Sequence, residues 1–158
     1  MPARLPGEPA ELGPRFLARV VDGVVIALVA WPLLVSFGIL ASAAIERPPE
    51  AVVGGLTVGL LGFVYVSLLD AFGGTLGKRL FKLRVVGPAG AAPGLGAGTA
   101  RNLWVLTSLL PTAIGQVVAV AVSVTVAVTI ARDPHELGWH DRLAGTAVRR
   151  VPVADVRT

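Results

Sequence analysis

Charge is missing from three long runs of this chain, and no other feature constrains the fold as strongly. Gly23–Ile45, Ala51–Leu69 and Asn102–Ala131 contain no Asp, Glu, Lys or Arg. A hydrocarbon core about 30 Å thick is crossed by about 20 helical residues. A helix on the surface of a soluble domain keeps a charged or polar face, which runs of this length lack. The first two runs therefore each predict one transmembrane helix. Composition agrees, with 54% apolar and 15% charged residues and a mean hydropathy of +0.74; an ordinary soluble domain is about 25% charged. The absence of cysteine excludes disulfides, thiolate metal sites and a thiol nucleophile.

A cleaved signal peptide competes for the first run, since Arg19 precedes it and Ala41-Ser42-Ala43 resembles a cleavage site. The run is longer than the apolar region of an ordinary signal peptide, and a long polar segment comes before it. An uncleaved first span is the expectation. Residues 1–13, rich in Pro, Gly and Glu, read as a disordered N-terminal tail. Residues 14–151 then form the membrane domain, and 152–158 a C-terminal tail.

Between the second and third runs, Thr75–Arg84 places Leu76, Leu80 and Leu83 at helical spacing, with Lys78, Arg79 and Lys82 between them. This predicts a short basic amphipathic helix in the headgroup layer. Val85–Gly98 carries five glycines and two prolines and reads as a turn-rich connector, with a short strand at Leu83–Val86. Its glycines match no nucleotide-binding pattern.

Lys and Arg number three in residues 1–22, one in 46–50, five in 70–101 and five in 132–158. The positive-inside rule puts the N-terminus and the 70–101 loop in the cytoplasm and residues 46–50 outside. Because the basic groups flank membrane spans, they give no case for nucleic-acid binding. The third run leaves two arrangements open. Two full spans need about 40 residues, more than the run supplies, and Pro111 and Gln116 interrupt its middle. One arrangement is a hairpin of two short helices, 101–111 and 116–131, with the tail cytoplasmic. The other is an interfacial helix over 99–110 and one span over 112–131, with the tail outside. Charge bias favours the hairpin. The fold class is thus an all-α membrane protein with two transmembrane helices and a third apolar region as hairpin or single span. Two rows of small residues, Ala51/Gly55/Gly59 and Ala119/Ser123/Ala127/Ala131, let helix backbones approach closely, either within the bundle or across a homo-oligomer face.

Arg15, Arg19 and Asp22 lie at i, i+4 and i+7, on one helical face. Ionisable groups in membrane helices are functional candidates, and a structural ion pair at the interface is the competing account. Asp70 closes the second run. If the tail is cytoplasmic, Asp22, Asp70 and Asp141 gather at one membrane face among Arg15, Arg19, Lys78, Arg79, Arg101 and Arg142. His140, beside Asp141, is then placed to titrate near neutral pH. His135 and His140 are five apart, unlike the i, i+4 pair of a zinc helix, so no metal site is expected. No cofactor and no catalytic constellation are readable, so an enzyme is not expected.

Three stretches together resemble the RDD family of small bacterial multi-pass membrane proteins. They are RFLARVVDGVVIALV (residues 15–29), GGTLGKRLFKLRVVG (73–87) and GWHDRLAGTAVRRV (138–151). The first supplies Arg19 and Asp22, with Arg15 accessory. The second supplies Gly74, Thr75, Gly77, Lys78 and Arg79, and the third His140, Asp141, Arg142, Gly145 and Thr146. Arg101, within Ala100-Arg101-Asn102, also fits. Asp70 and Ala71 depart from the family pattern, which more often has aromatic or apolar residues there. The resemblance implies a protein of the bacterial cytoplasmic membrane, N-terminus inside, that transports ions or small ligands. The specific expectation is proton-coupled cation exchange with Asp22 as carrier and Arg19 setting its proton affinity. The alternative is a non-catalytic partner or assembly factor that docks a protein or anionic lipid through the charged cluster.

Overall fold

The computed structural model describes residues 7–42, 50–88, 90–110 and 113–151. Three helices are long and apolar enough to cross a membrane by length and composition: α1 (Leu12–Ser42), α2 (Glu50–Ala71) and, later in the chain, a helix over Ala113–Arg132. At 1.5 Å per residue the shortest of them, 20 residues, is about 30 Å long. The expected loop over 46–50 falls mostly outside the described residues, and residues 1–6, 111–112 and 152–158 lie outside them entirely.

The exterior of this bundle is apolar and the buried face at one end is polar, the reverse of a soluble protein. On α1, Phe16, Leu17, Val20 and Val24 are exposed while Arg15, Ala18 and Asp22 are buried. On α2, Val64 and Leu68 are exposed while Ser67 and Asp70 are buried. Such a surface suits lipid, where apolar side chains face the solvent that matches them.

After α2 the chain turns at Gly73 and Gly74, both at positive φ, into α3 (Leu76–Leu80), β1 (Leu83–Val86) and α4 (Gly94–Ala100). The strand falls where the sequence predicts it. The basic amphipathic helix is only five residues long, because Thr75 caps its start and the chain leaves it for β1. Its Lys78 is buried rather than spread on a headgroup layer. α4 packs on α2 so closely that a Cβ on Gly98 would lie 2.8 Å from Ala71.

The third apolar run becomes a 3-10 helix (Leu103–Leu109) followed by α5 (Ala113–Arg132). The 3-10 segment starts at Asn102, which is bonded to Asp70 and the Val66 carbonyl. It runs along α2 to Gly59, whose missing side chain leaves room for Ser108 and Leu109. α5 starts beside Leu110 and returns to the end it came from, where Trp139 N–H donates to Thr129. The tail and the 70–101 loop therefore lie at the same end of the bundle, the arrangement that charge bias favours, with one full helix as the returning arm. The Gly59 contact also shows the α2 row of small residues used inside the bundle.

Two features were not expected from the sequence. α6 (Trp139–Leu143) leads into β2 (Ala147–Arg150), which pairs antiparallel with β1, Val85 opposite Val148. Residues 8–10, assigned to a disordered tail, lie beside β2 instead. Ala10 N–H donates to the Val148 carbonyl and Glu8 O accepts from Arg150 N–H. Ala10 is fully buried with Ala18, Leu83, Val85 and Val148 in a small core capping the polar end. A row of backbone partners on β2 holds these residues, which composition cannot show.

Candidate functional site

The polar end is built around three buried carboxylates, Asp22, Asp70 and Asp141, each at most 1% exposed. Asp22 lies in the N-terminal part of α1. Its Oδ1 accepts from the Tyr65 hydroxyl at 2.9 Å and the Gly77 N–H at 2.8 Å, and its Oδ2 from the Thr75 hydroxyl at 2.6 Å. These donors explain the GGTLGK stretch. Gly73 and Gly74 make the turn, Thr75 caps α3 and reaches Asp22, and Gly77 allows α3 onto α1. A Cβ on Gly77 would lie 2.0 Å from the Ala18 carbonyl oxygen.

Asp70 ends α2. Lys78 Nζ lies 2.5 Å from its Oδ1, and Arg101 Nε 3.2 Å from its Oδ2. Asn102 Nδ2 donates to the same Oδ2 at 3.1 Å. Asp141, in α6, is held by Arg101 at 2.9 Å and Arg15 at 3.0 Å, and accepts from the Gly138 N–H. Arg101 thus joins the two clusters and is 2% exposed. Arg15 also donates to the carbonyls of Ala10 and Glu136, tying α1 to the segment before it and to the loop after α5. Thr146 N–H closes the α6 turn on the Asp141 carbonyl, and its hydroxyl accepts from Arg101.

Burial sets the direction for Lys78 and His140, both outside the spans. It pushes Lys78 down to about 8, although Asp70 opposes the shift. It also pushes His140 down to about 4 against the pull of Asp141, with Arg101 and Arg15 adding to the fall. His140 is therefore neutral at physiological pH, which corrects the expectation of titration near neutrality. For Asp141, burial alone would raise the pKa, but Arg101 leads the groups that hold it below the ordinary carboxylate range.

Other sequence candidates are placed elsewhere. Arg79 is exposed on α3 and donates to the Gly74 carbonyl. Arg142 points away from the cluster and pairs with Asp133. Arg19 makes no ion pair with Asp22, its expected partner. Its guanidinium lies 5.0 Å from the ring centre of Trp104 instead. No group of three or more His, Asp or Glu able to hold a metal occurs among the described residues.

Three participants were missed by the sequence reading. Tyr65 is the chain's one tyrosine and sits inside an apolar run, which was a usable signal. Asn102 follows Arg101 and was visible as a lone amide at the start of the third run. Trp104 carried no signal, since an aromatic in an apolar run is ordinary packing.

Two cavities adjoin this site, of about 450 and about 500 Å³. Asp22, Arg15, Lys78 and His140 line the first; the glycines of α2 line the second. Arg19, Trp104 and Ser123 line both.

Comparison with known proteins finds that the RDD family model matches residues 9–145. No curated protein and no solved structure matches the chain.

Proposed function

The chain belongs to the RDD family, and from that membership we propose that it carries ions or small ligands across the bacterial cytoplasmic membrane. In this reading it exchanges protons for a cation at Asp22, and its polar end faces the cytoplasm. One observation carries the proposal. Asp22 is a buried carboxylate in a helix able to span the bilayer, it is bound only by neutral donors, and it lines a cavity. An ionisable group within a span costs about 2.5–3.5 kcal/mol at the centre and less near an end, and such groups mark ion and proton paths. Asp70 and Asp141 are already neutralised by cations, which leaves Asp22 to take up a proton. The hydroxyl oxygens of Tyr65 and Thr75 keep lone pairs that can turn to a bound cation. Replacing a proton by a monovalent cation leaves the charge of the cluster unchanged. The reading is non-enzymatic, and a bundle this small needs a homo-oligomer to enclose a path.

Flux into proteoliposomes tests it. Asp22→Asn should abolish flux while the protein still inserts, and wild-type flux no higher than that of empty liposomes refutes the reading. Labelling with an impermeant maleimide in intact cells tests the orientation. Ala10 is buried, so the N-terminal single cysteine belongs at Glu11, with others at Pro49 and Ala154. Labelling at Pro49 alone is expected.

A second reading, docking of a protein or anionic lipid, draws on Arg79, Lys82 and Arg84, which remain exposed on α3, β1 and the turn between them. It predicts a stoichiometric partner on purification, and a lone monodisperse protein counts against it.

A further inference from the structure

Charge around the cavities does not balance. Four cations, Arg15, Arg19, Lys78 and Arg101, face the three carboxylates Asp22, Asp70 and Asp141. Arg149 and Glu136, at the outer edge, carry opposite charges and leave the surplus in place. Arg19 is the cation whose donors are unused, although Asp70 and Asp22 act on it at longer range. Arg15, Lys78 and Arg101 all have carboxylate partners, whereas Arg19 makes no hydrogen bond or ion pair among the described residues and rests on Trp104. A guanidinium presents five donors in a planar fork suited to a carboxylate or phosphate, and that of Arg19 is half-buried at the cavity wall. Trp104 adds a second unused donor, since its buried indole N–H has no acceptor.

The surroundings of Arg19 specify the rest of the ligand. Arg19, Trp104 and Ser123 line both cavities, so the two spaces meet at the free cation. Away from the polar end the second cavity is walled by Ile26, Gly55, Val58, Gly59 and Gly62. From Val66 to Gly54, both on its wall, α2 rises about 18 Å. A Cβ on Gly55 would meet nothing within 4 Å, so the wall borders open space. Phe16 and Val124, both exposed to the lipid side, border the first cavity, where α1 and α5 touch only sparsely. A hydrated dianion such as free phosphate would find one spare positive charge and an apolar wall.

We propose that the slot between α1 and α5 binds an amphiphilic monoanion from the bilayer, its headgroup on Arg19 and Trp104 and its acyl chain along the glycine face of α2. Asp22 lines the same cavity, and a binding measurement separates this site from a flux measurement.

The test uses the full chain in phosphatidylcholine nanodiscs, with Trp31→Phe and Trp139→Phe leaving Trp104 as the fluorophore. Dibromostearate, which carries a carboxylate, and dibrominated phosphatidylglycerol, which carries a phosphodiester, are the quenching probes. Dibromostearyl alcohol is the uncharged control. Saturable quenching by either anion, reversed by its unbrominated form and absent with the alcohol, is expected, and the probe that saturates at the lower mole fraction identifies the source. Arg19→Gln should raise the half-saturation point at least about tenfold, as loss of charge-assisted hydrogen bonds requires. Gly55→Leu, which fills the chain slot without touching Arg19, should also weaken quenching. Both variants are compared at equal monodispersity and melting temperature, and Arg19→Lys keeps the charge should Arg19→Gln fail to fold. Non-saturating quenching, equal quenching by the alcohol, displacement by inorganic phosphate alone, or unchanged half-saturation in both Arg19→Gln and Gly55→Leu would overturn the proposal.

Discussion

Gly77→Ala probes the tightest glycine contact among the described residues. The added Cβ would sit 2.0 Å from the Ala18 carbonyl oxygen and 2.9 Å from Asp22 Oδ1, where ordinary contact begins at 3.4 Å. Relief requires α3 to retreat from α1 by about 1.4 Å, the difference between contact and clash. The Gly77 N–H bond to Asp22, 2.8 Å long, then stretches beyond hydrogen-bond range. Loss of a hydrogen bond to a charged group costs about 1.5–3 kcal/mol, and forced repacking adds about 1–3 kcal/mol. A loss of about 2.5–6 kcal/mol is therefore expected from these two terms. Reversible unfolding in mixed micelles titrated with sodium dodecyl sulfate measures it. Gly96→Ala, in α4 where the new Cβ meets nothing within 4 Å, is the control and should be neutral or slightly stabilising. Combining Gly77→Ala with Asp22→Asn should cost less than the sum of the two, because both remove one interaction. A Gly77→Ala protein within about 1 kcal/mol of wild type, or strict additivity with Asp22→Asn, would refute the assignment of Gly77 as the contact that seats α3 on Asp22.

Arg101→Met removes the cation shared by Asp70 and Asp141 and should cost about 3–5 kcal/mol in the same assay, as breaking a buried pair does. Arg142→Ala should change stability by less than about 1 kcal/mol, because its ion pair with Asp133 is on an exposed side chain. His140 predicts an acid-sensitive fold. Its pKa falls from 6.5 to about 4 on folding, chiefly through burial, so below pH 6.5 the unfolded chain takes up a proton that the native state refuses. Stability should drop as pH falls through that window, by at most about 3 kcal/mol, and His140→Gln should flatten the slope measured between pH 7 and 5. Tyr65→Phe removes one of three donors to Asp22 and should cost about 1–2 kcal/mol with α1 and α2 otherwise unchanged.

The parts of this fold that depend on length and polarity were legible in the sequence. The first two uncharged runs, Gly23–Ile45 and Ala51–Leu69, mark α1 and α2, because backbone groups in lipid have few solutions besides a helix. Gathering of Asp22, Asp70 and Asp141 was legible only on the hairpin arrangement, which charge bias favours over a third full span. The pairing within the cluster did not follow. Spacing on α1 suggests Arg19 as partner of Asp22, but the glycine turn delivers Thr75 and Gly77 to the carboxylate, and Arg19 turns to Trp104. Arg142 is adjacent to Asp141 in sequence yet on the opposite side of a short helix. The strand Leu83–Val86 was legible, but its pairing was not, because Ala147–Arg150 is short, far off in the chain and outside the apolar runs.

The pairing of β1 with β2 also orders events during synthesis. α1 carries Arg15 and Asp22 into the bilayer long before Asp141 has been made. Arg15 waits for that carboxylate through most of the chain, whereas Arg101 already has Asp70 and gains only its second carboxylate then. Until α6 docks, the carboxylate side of Arg15 is open to water or headgroups. A chain stopped before Asp141 would keep its three apolar helices and still present Arg15 without its carboxylate at the polar end.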